Sequence, residues 1–352
     1  MNKTLIAMAV AGVMAAPTAA MADATVYGKV HVSVDFMSYD SASNTPEDNT
    51  VLSTNSSRIG FKGSEDLGGG MKAIWKLESG IAVDGETGTL KARNRYVGLS
   101  GGWGTLLGGI HDTPMKSIGR KVELFPEYLG DHRNLMGGNT TAGWDLRTKN
   151  TLAYVSPKFG QGFGFSAAYV FDHEVDANVA ETDDNNQTAL SANVTWTSGN
   201  WFVGAAYESH DRITVAPSTT ESESAIRVSA AWTPGAWKVI GLYHTVSAVA
   251  GTNDYSVAGL GAAYKMGKNV IKAQYYMRSS DIADADSTLA AVAWDYKFSK
   301  RTTAYIAYAV TDNDNNANRS VNSGGHSDSG DAHSPSNGED PSGISIGMIH
   351  NF

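Results

Sequence analysis

The most regular feature of the chain is an alternation of apolar and polar residues. From residue 26 to residue 36, Val, Gly and Phe occupy the even positions, while Tyr, Lys, His, Ser and Asp occupy the odd positions. A period of two is typical of a β-strand with one apolar face and one wet face. The same pattern returns at residues 58–62, 72–78, 226–232 and 270–278. These segments predict an all-β protein.

The connections between the predicted strands alternate between short and long. The short ones are tight turns at residues 100–102, 233–235, 266–268 and 298–300. The long ones are rich in Asn, Asp, Ser and Thr and cover residues 40–50, 111–144, 173–186, 209–223 and 311–341. This order predicts about 16 antiparallel strands with long loops at one end and short turns at the other, as in outer-membrane barrels.

Alternation is compatible with a transmembrane barrel and with a soluble β-sandwich, in which one strand face is also apolar. Aromatic residues near the strand ends favour the barrel, since such residues form girdles at the membrane surfaces. The candidates are Trp75, Tyr169, Trp196, Trp201, Tyr207, Trp232, Trp237, Tyr243, Trp294, Tyr296 and Phe298. The same aromatics could instead fill a sandwich core, so this pattern leaves both folds open.

The first 22 residues predict a cleaved secretory signal. Lys3 precedes an apolar run at residues 5–16, and small residues flank Met21 before the expected start of the mature chain at Asp23. The run is shorter than the roughly 20 apolar residues that a membrane-spanning helix needs. We therefore expect two parts, a signal peptide at residues 1–22 and a barrel domain at residues 23–352.

Composition narrows the classes of function. The 352 residues include no Cys, which excludes disulfides and thiolate metal sites. The formal net charge of −9 argues against a nucleic-acid partner. No His-Glu-x-x-His pair and no Gly-x-Ser-x-Gly elbow occurs, so we expect no catalytic residue, metal or cofactor. His326 and His333 are expected to be incidentally exposed to solvent in the last long loop.

The last ten residues explain how such a sheet could close. Ile344, Ile346 and Met348 alternate with Ser345 and Gly347, so this segment can pair with the first strand. A ring of about 16 strands is too wide for side chains to fill and leaves an aqueous channel. Charged residues must line that channel, because Lys or Arg facing mid-membrane lipid costs about 2 to 4 kcal/mol.

Several short motifs together resemble the Gram-negative general porin family, the trimeric 16-stranded diffusion pores. The resemblance covers the whole mature chain, and its motifs are residues 26–30, 57–68, 95–100, 103–108, 150–157 and 350–352. It implies a 16-stranded antiparallel transmembrane β-barrel with an inward-folded third loop, here residues 111–145.

Residues 123–131 within this loop resemble the constriction motif of the family. The resemblance implies that acidic residues of the loop meet basic residues of the wall across the narrowest point. The acidic set is Glu123, Glu127 and Asp131, and the basic set is Arg58, Arg93, Arg95, Arg147 and Lys29. Alternation also places the arginines on the lumen side, opposite Ile59, Tyr96 and Leu152. Glu123 stands where the family often has a shorter Asp, which affects the expected pore diameter.

An ordinary solvated surface loop is the alternative, because Lys116, Arg120, Lys121, Arg133 and Asp145 are mixed with the acidic residues. If the loop does fold inward, opposed charges across a narrow gap set up a transverse field that favours polar solutes. The predicted function is passive diffusion of small hydrophilic solutes and ions, with weak cation selectivity from the acidic loops. Alternatives are a solute-specific channel, an outer-membrane barrel enzyme and an adhesive surface protein.

The expected location is the outer membrane of a Gram-negative bacterium, and the expected partners follow from that location. They are outer-membrane lipid and lipopolysaccharide, the permeating solutes and ions, and the barrel-assembly machinery, which the resemblance implies is contacted through Phe352. A homotrimer is also implied by the resemblance. Val30, Val32, Leu106 and Ile346 would supply an apolar wall for it, although lipid would accept the same residues.

Overall fold

The computed structural model describes residues 24–40, 47–85, 90–137, 143–171, 188–213, 220–248, 254–327 and 334–352. The predicted signal peptide, the long loop at residues 173–186 and His333 lie outside the described residues.

The described residues form one antiparallel sheet that closes on itself. Its strands are β1 Thr25–Asp40, β2 Glu47–Thr54, β3 Arg58–Gly68, β4 Met71–Gly80, β5 Lys91–Gly101, β6 Gly104–Asp112, β7 Arg147–Val155, β8 Phe163–Val170, β9 Ala189–Ser198, β10 Trp201–Ile213, β11 Thr220–Trp232, β12 Trp237–Ser247, β13 Tyr255–Met266, β14 Asn269–Ser280, β15 Ser287–Lys297, β16 Thr302–Asn313 and β17 Asp340–Asn351. Short turns and longer loops alternate between the spanning strands, as predicted.

β2 and β3 are two pieces of one spanning strand. β2 pairs with residues 32–39 of β1, and β3 pairs with residues 25–29 of the same strand. The interruption covers residues 55–57, where Ser56 has a φ of 49°. Counted in this way, the barrel has 16 spanning strands, which confirms the predicted fold.

The two ends of the chain close the ring. β17 pairs with β1 from Asn351 opposite Lys29 to Asp340 opposite Asp40. The backbones of Gly28 and Phe352 then exchange two hydrogen bonds of 3.0 and 3.1 Å. A Cβ at Gly28 would overlap the Phe352 ring, so glycine is required for this close approach. Closure gives hydrogen-bond partners to the backbone N–H and C=O groups at the two sheet edges, because lipid cannot hydrogen-bond them.

The two strand faces differ as the alternation predicts. Leu260, on the outside, is 70% exposed, whereas Arg227 and Arg278 on the inside are buried. Eight of the eleven predicted girdle aromatics are exposed on the outer surface, and these are Tyr169, Trp201, Tyr207, Trp232, Trp237, Tyr243, Trp294 and Phe298. An apolar exterior with a charged interior suits a membrane barrel and not a soluble sandwich.

Arg95 is an exception, and its predicted position on the lumen side is wrong. It stands directly opposite Leu77 on β4 and Ile110 on β6. Opposed residues of antiparallel strands project to the same face. Because Leu77 is 55% exposed on the outer surface, Arg95 also projects outward.

A β-bulge explains this reversal. The register between β4 and β5 shifts between Leu77 and Ser79, so that one extra residue of β5 is accommodated beside Arg93. A single inserted residue moves all later side chains to the opposite face. Arg95 instead donates to Ser79 Oγ at 2.7 Å and to the Glu78 carbonyl at 3.2 Å.

The described parts of the connection between β6 and β7, residues 113–137 and 143–146, fold into the barrel. They contain helix α1, Pro114–Gly119, and a 3-10 helix, His132–Leu135. The Thr113 side chain caps α1 by accepting from the Lys116 N–H, and Pro114 occupies the first helical turn. Neither helix was anticipated from the sequence pattern. None of the helices among the described residues is long and apolar enough to cross a membrane.

The inward loop brings its own apolar core. Met115, Ile118, Phe125 and Leu129 are buried and belong to one cluster with inward-facing wall residues such as Leu289. Burial of several large side chains, each contributing about 1.5 to 3 kcal/mol, stabilises the loop inside the barrel.

Candidate pore constriction

Polar contacts to the strands β11 and β14 anchor the inward loop. Arg227 donates two hydrogen bonds to the Asp145 carboxylate, at 2.8 and 2.9 Å. Burial alone would raise the pKa of Asp145, but the Arg227 guanidinium outweighs it and holds this pKa below its ordinary value. Arg278 donates to the Leu135 and Gly137 carbonyls at 2.8 and 2.7 Å.

A tight turn presents Glu127 at the tip of the loop. Glu127 has a φ of 64°, a conformation that non-glycine residues rarely adopt. Its N–H donates to Asp131 Oδ2 at 2.9 Å, and Arg133 donates to both oxygens of the same carboxylate at 3.0 and 2.6 Å. Asp131 is fully buried, so it shapes the turn and does not face the water of the lumen.

Glu127 is the loop residue that meets the opposite wall. Its carboxylate accepts from Arg58 at 2.9 Å and also binds the Lys29 ammonium. Arg120 lies 3.9 Å from the same carboxylate. The predicted contact between the loop and the first strands is therefore present at these residues.

Arg93 and Arg147 lie on the lumen side but bind carboxylates of the wall. Arg93 Nε is 2.8 Å from Glu78 Oε1, and Arg147 Nε is 3.0 Å from Asp112 Oδ1. Glu78 also binds Lys76 at 3.2 Å. The wall thus carries charges of both signs and not a purely basic row.

Glu123 is neutralised within the loop itself. Its carboxylate lies 2.8 Å from Arg120 and 3.3 Å from Arg133. Sequence reasoning treated these two arginines as signs of an ordinary surface loop. In the structure Arg120 lies near the Glu127 carboxylate that Arg58 of the wall also binds, whereas Arg133 pairs with carboxylates of the loop itself. We call the space between Arg58, Lys76, Arg93, Arg120 and Arg147 the arginine gap.

The charges at the arginine gap are unequally exposed. The side chains of Arg58, Lys76 and Arg120 are 24%, 21% and 28% exposed. The side chains of their three glutamate partners are only 2 to 6% exposed. Asp112 is 23% exposed, as much as these cations, and it is bound by both Arg147 and Lys116. Cationic groups therefore dominate the wetted surface.

Lys116 is a buried cation at this site. It lies 3.3 Å from Asp112, one turn earlier in the chain. Burial lowers the pKa of Lys116 to about 8, although the Asp112 carboxylate opposes the shift. The positive charge of Lys116 is thus sensitive to mildly alkaline pH.

The last long connection holds the inward loop from the other side. The Gly130 N–H donates to the Val321 carbonyl at 2.8 Å, and the Ser323 N–H donates to Asn134 Oδ1 at 2.9 Å. His326 lies 2.8 Å from Asp35 Oδ2 and is buried. The expected solvent exposure of His326 is therefore wrong, because the loop turns into the barrel and does not extend outward.

Glu123, Asp131 and His132 offer possible metal-ligand atoms within 4.8 Å of one another. The Arg133 guanidinium already binds both carboxylates. Its positive charge opposes a cation at this position, so the group fits an ion-pair network better than a metal centre.

Comparison with known proteins agrees with this architecture. The family model described as Gram-negative porin matches residues 7–316. The major outer membrane protein P.IB of Neisseria gonorrhoeae is 36% identical over 177 residues, which is 48% of each chain, so the alignment spans about half the length of that relative. P.IB of Neisseria meningitidis serogroup A is 28% identical over 320 residues, covering 87% of this chain and 92% of that protein.

Solved structures show the same fold. The anion-selective porin from Comamonas acidovorans superposes with a TM-score of 0.81 at 23% identity, covering 94% of this chain and 100% of that chain. The trimer form of OmpT from Vibrio cholerae has a TM-score of 0.66 at 18% identity, covering 94% of this chain and 99% of that chain. A closed barrel of 16 spanning strands, the inward loop and the family match lead to one conclusion: the chain belongs to the Gram-negative porin family of the outer membrane.

Proposed function

We propose that the protein is a passive diffusion channel for small hydrophilic solutes and ions. The observation that supports this proposal is the arginine gap, a group of charged and partly exposed side chains on the inside of a closed barrel. Charged side chains at the narrowest point keep water there, and polar solutes can replace the hydrogen bonds of that water. Membership of a channel family also argues against an enzyme, and we propose that the barrel catalyses no reaction.

Reconstitution in planar bilayers tests this function. We expect stepwise conductance that rises in proportion to KCl concentration. Folded, heat-modifiable protein without conductance would contradict a diffusion channel and would favour an adhesive role. Hydrolysis of a lipid or peptide substrate by the purified barrel would contradict the proposal that the barrel catalyses no reaction.

We further propose that the channel prefers anions. Weak cation selectivity is the expectation from the acidic loops, but salt largely screens exposed charges that lie more than a Debye length from the path of the ion. Most of the exposed charged groups at the gap are cationic, and Asp112 is the partly exposed carboxylate among the partners named above. The structurally similar barrel from Comamonas acidovorans is an anion-selective porin, which agrees with this proposal. Reversal potentials in a KCl gradient measure it directly, and a cation preference would contradict it.

We also propose that three copies of the chain assemble into a homotrimer. The apolar wall predicted from Val30, Val32, Leu106 and Ile346 is joined on the outer face by Arg95. An outward arginine is costly against mid-membrane lipid, whereas a neighbouring subunit could pair with it. The trimer form of the Vibrio cholerae relative supports the same assembly. Unheated protein that migrates at the size of one barrel would contradict it.

A further inference from the structure

Two buried arginines meet on the long-loop side of the inward loop. Arg278 projects inward from β14, two residues before that strand ends, and Arg319 lies in the connection between β16 and β17. Arg278 Nη1 donates to the Gly137 carbonyl at 2.7 Å, and Arg319 Nη1 donates to the same oxygen at 2.8 Å. One oxygen therefore holds the two guanidinium groups next to each other. We call Arg278 and Arg319 the outer arginine pair.

No carboxylate among the described residues forms an ion pair with either member of the outer arginine pair. Arg227, a neighbouring inward arginine, in contrast has Asp145 at 2.8 Å. The Asp286 carboxylate, after β14, accepts hydrogen bonds from a serine hydroxyl and a backbone N–H instead. Arg278 is 2% exposed and Arg319 is 7% exposed. Two like charges buried together are unfavourable unless a counter-charge accompanies them.

Surrounding contacts fix both arginines. The Arg278 guanidinium carbon lies 3.4 Å from the centroid of the Tyr255 ring, and Nη1 also donates to the Leu135 carbonyl at 2.8 Å. The Arg319 N–H donates to Asn313 Oδ1 at 2.9 Å, and the Asn313 amide donates back to the Arg319 carbonyl at 2.9 Å. Groups that are already fixed lose little freedom when a ligand binds, so the pair is preorganised.

The outer arginine pair has a free donor and open space beside it. Arg278 Nη2 is buried and has no hydrogen-bond partner in the part of the chain that the structure describes. Gly137 is partly exposed, and a Cβ added there would meet no described atom within 4 Å. Residues 138–142, which follow Gly137, include no Asp or Glu. An anion can therefore approach from the Gly137 side, and the residues that follow Gly137 bring no competing carboxylate.

We propose that the outer arginine pair binds one small inorganic oxyanion, such as sulfate or phosphate. The planar fork of a guanidinium matches two oxygens of such an anion, so two forks can hold one tetrahedral ion. The ion joins β14, the inward loop and the last long connection, because Arg278, Gly137 and Arg319 belong to these three segments. It therefore clamps the inward loop inside the barrel. This inference goes beyond the proposed diffusion function, since the ion is a structural ligand and not the permeating solute.

Sulfate is the probe, and the temperature of heat modification of the refolded mature barrel in neutral detergent is the readout. Sodium sulfate replaces sodium chloride at constant ionic strength, so that screening does not change. A ligand that binds only the folded state stabilises it by mass action. At about ten times the dissociation constant of sulfate, we expect the temperature to rise by about 2 to 4 °C and to approach saturation.

Arg319→Gln removes one charge and one fork from a loop residue. The half-saturating sulfate concentration should rise about tenfold, as expected for the loss of one charged hydrogen-bond donor. Arg301→Gln is the matched control, because it removes an exposed arginine from a short turn at the other end of the barrel. Its response to sulfate should equal that of the wild type.

The absence of a saturable rise in the wild type would overturn the proposal, and so would an equal rise in the wild type and Arg319→Gln. If Arg319→Gln does not assemble, equilibrium dialysis of radiolabelled sulfate against the wild-type barrel replaces it. One bound ion per chain supports the site, and no bound ion refutes it. Bilayer conductance is measured separately, so failure of the oxyanion site leaves the channel function intact.

Discussion

Replacing Glu127 with Gln removes one negative charge from the arginine gap while keeping the size of the side chain. In the wild type this carboxylate binds both Arg58 and Lys29. The variant therefore leaves two cations without their shared partner. We expect the anion preference of the channel to increase.

The size of the effect follows from Coulomb's law. A unit charge about 8 Å from the path of an ion changes the energy of that ion by about 0.5 kcal/mol in water. This energy corresponds to roughly a twofold change in local concentration, upward for chloride and downward for potassium. Salt reduces the effect, because the Debye length is about 10 Å at 0.1 M. We therefore expect the chloride-to-potassium permeability ratio to rise by about two- to threefold.

Reversal potentials in a tenfold KCl gradient measure this ratio. Asp281→Asn is the matched control, because it removes the same charge from an exposed loop between β14 and β15. An unchanged ratio in Glu127→Gln, or an equal change in the control, would refute the assignment of Glu127 to the conducting gap. A large rise in total conductance would instead show that the loop had left the lumen.

Four further predictions follow from the structure. Asp145→Asn leaves Arg227 buried with a weakened partner, and breaking a buried ion pair costs about 3 to 5 kcal/mol. The temperature of heat modification should therefore fall. An unchanged temperature would argue against this anchor. Lys116 loses its charge as the pH rises through its pKa of about 8, so the anion preference should decline in alkaline buffer, and Lys116→Met should abolish that decline. Leu260→Arg places a charge on the lipid face at a cost of about 2 to 4 kcal/mol, and should reduce refolding into bilayers while Leu260→Met does not. Deleting Phe352 removes the two backbone hydrogen bonds with Gly28 at the end of the β1–β17 seam, and should reduce the yield of heat-modifiable barrels; a normal yield would contradict its role.

The sequence was sufficient to predict the barrel, because the alternation that specifies each strand is local and is repeated along the chain. A transmembrane strand has lipid on one face and water on the other, and each side chain must suit the medium that it faces. Apolar and polar residues therefore alternate along each strand. The order of short and long connections then counts the strands and places both chain ends together. Closure through residues 343–352 follows, since lipid tolerates no free strand edge.

The candidate site was only partly predictable. Glu127 contacts Lys29 and Arg58 in the structure, and the alternation and the loop motif had singled out these three residues; their role at a constriction stays a prediction. Arg95 was misplaced because a bulge adds one residue to β5, and period-two reasoning has no means to detect a local insertion.

The tertiary structure decided which charges face water. Glu123 is neutralised by Arg120 and Arg133, and His326 is buried beside Asp35. These contacts join segments of long loops, whose paths depend on packing inside the barrel and not on a repeating pattern. The sequence by itself determined a closed barrel around water, whereas only the folded loops determined which carboxylates are buried against cations and which cations stay partly exposed at the arginine gap.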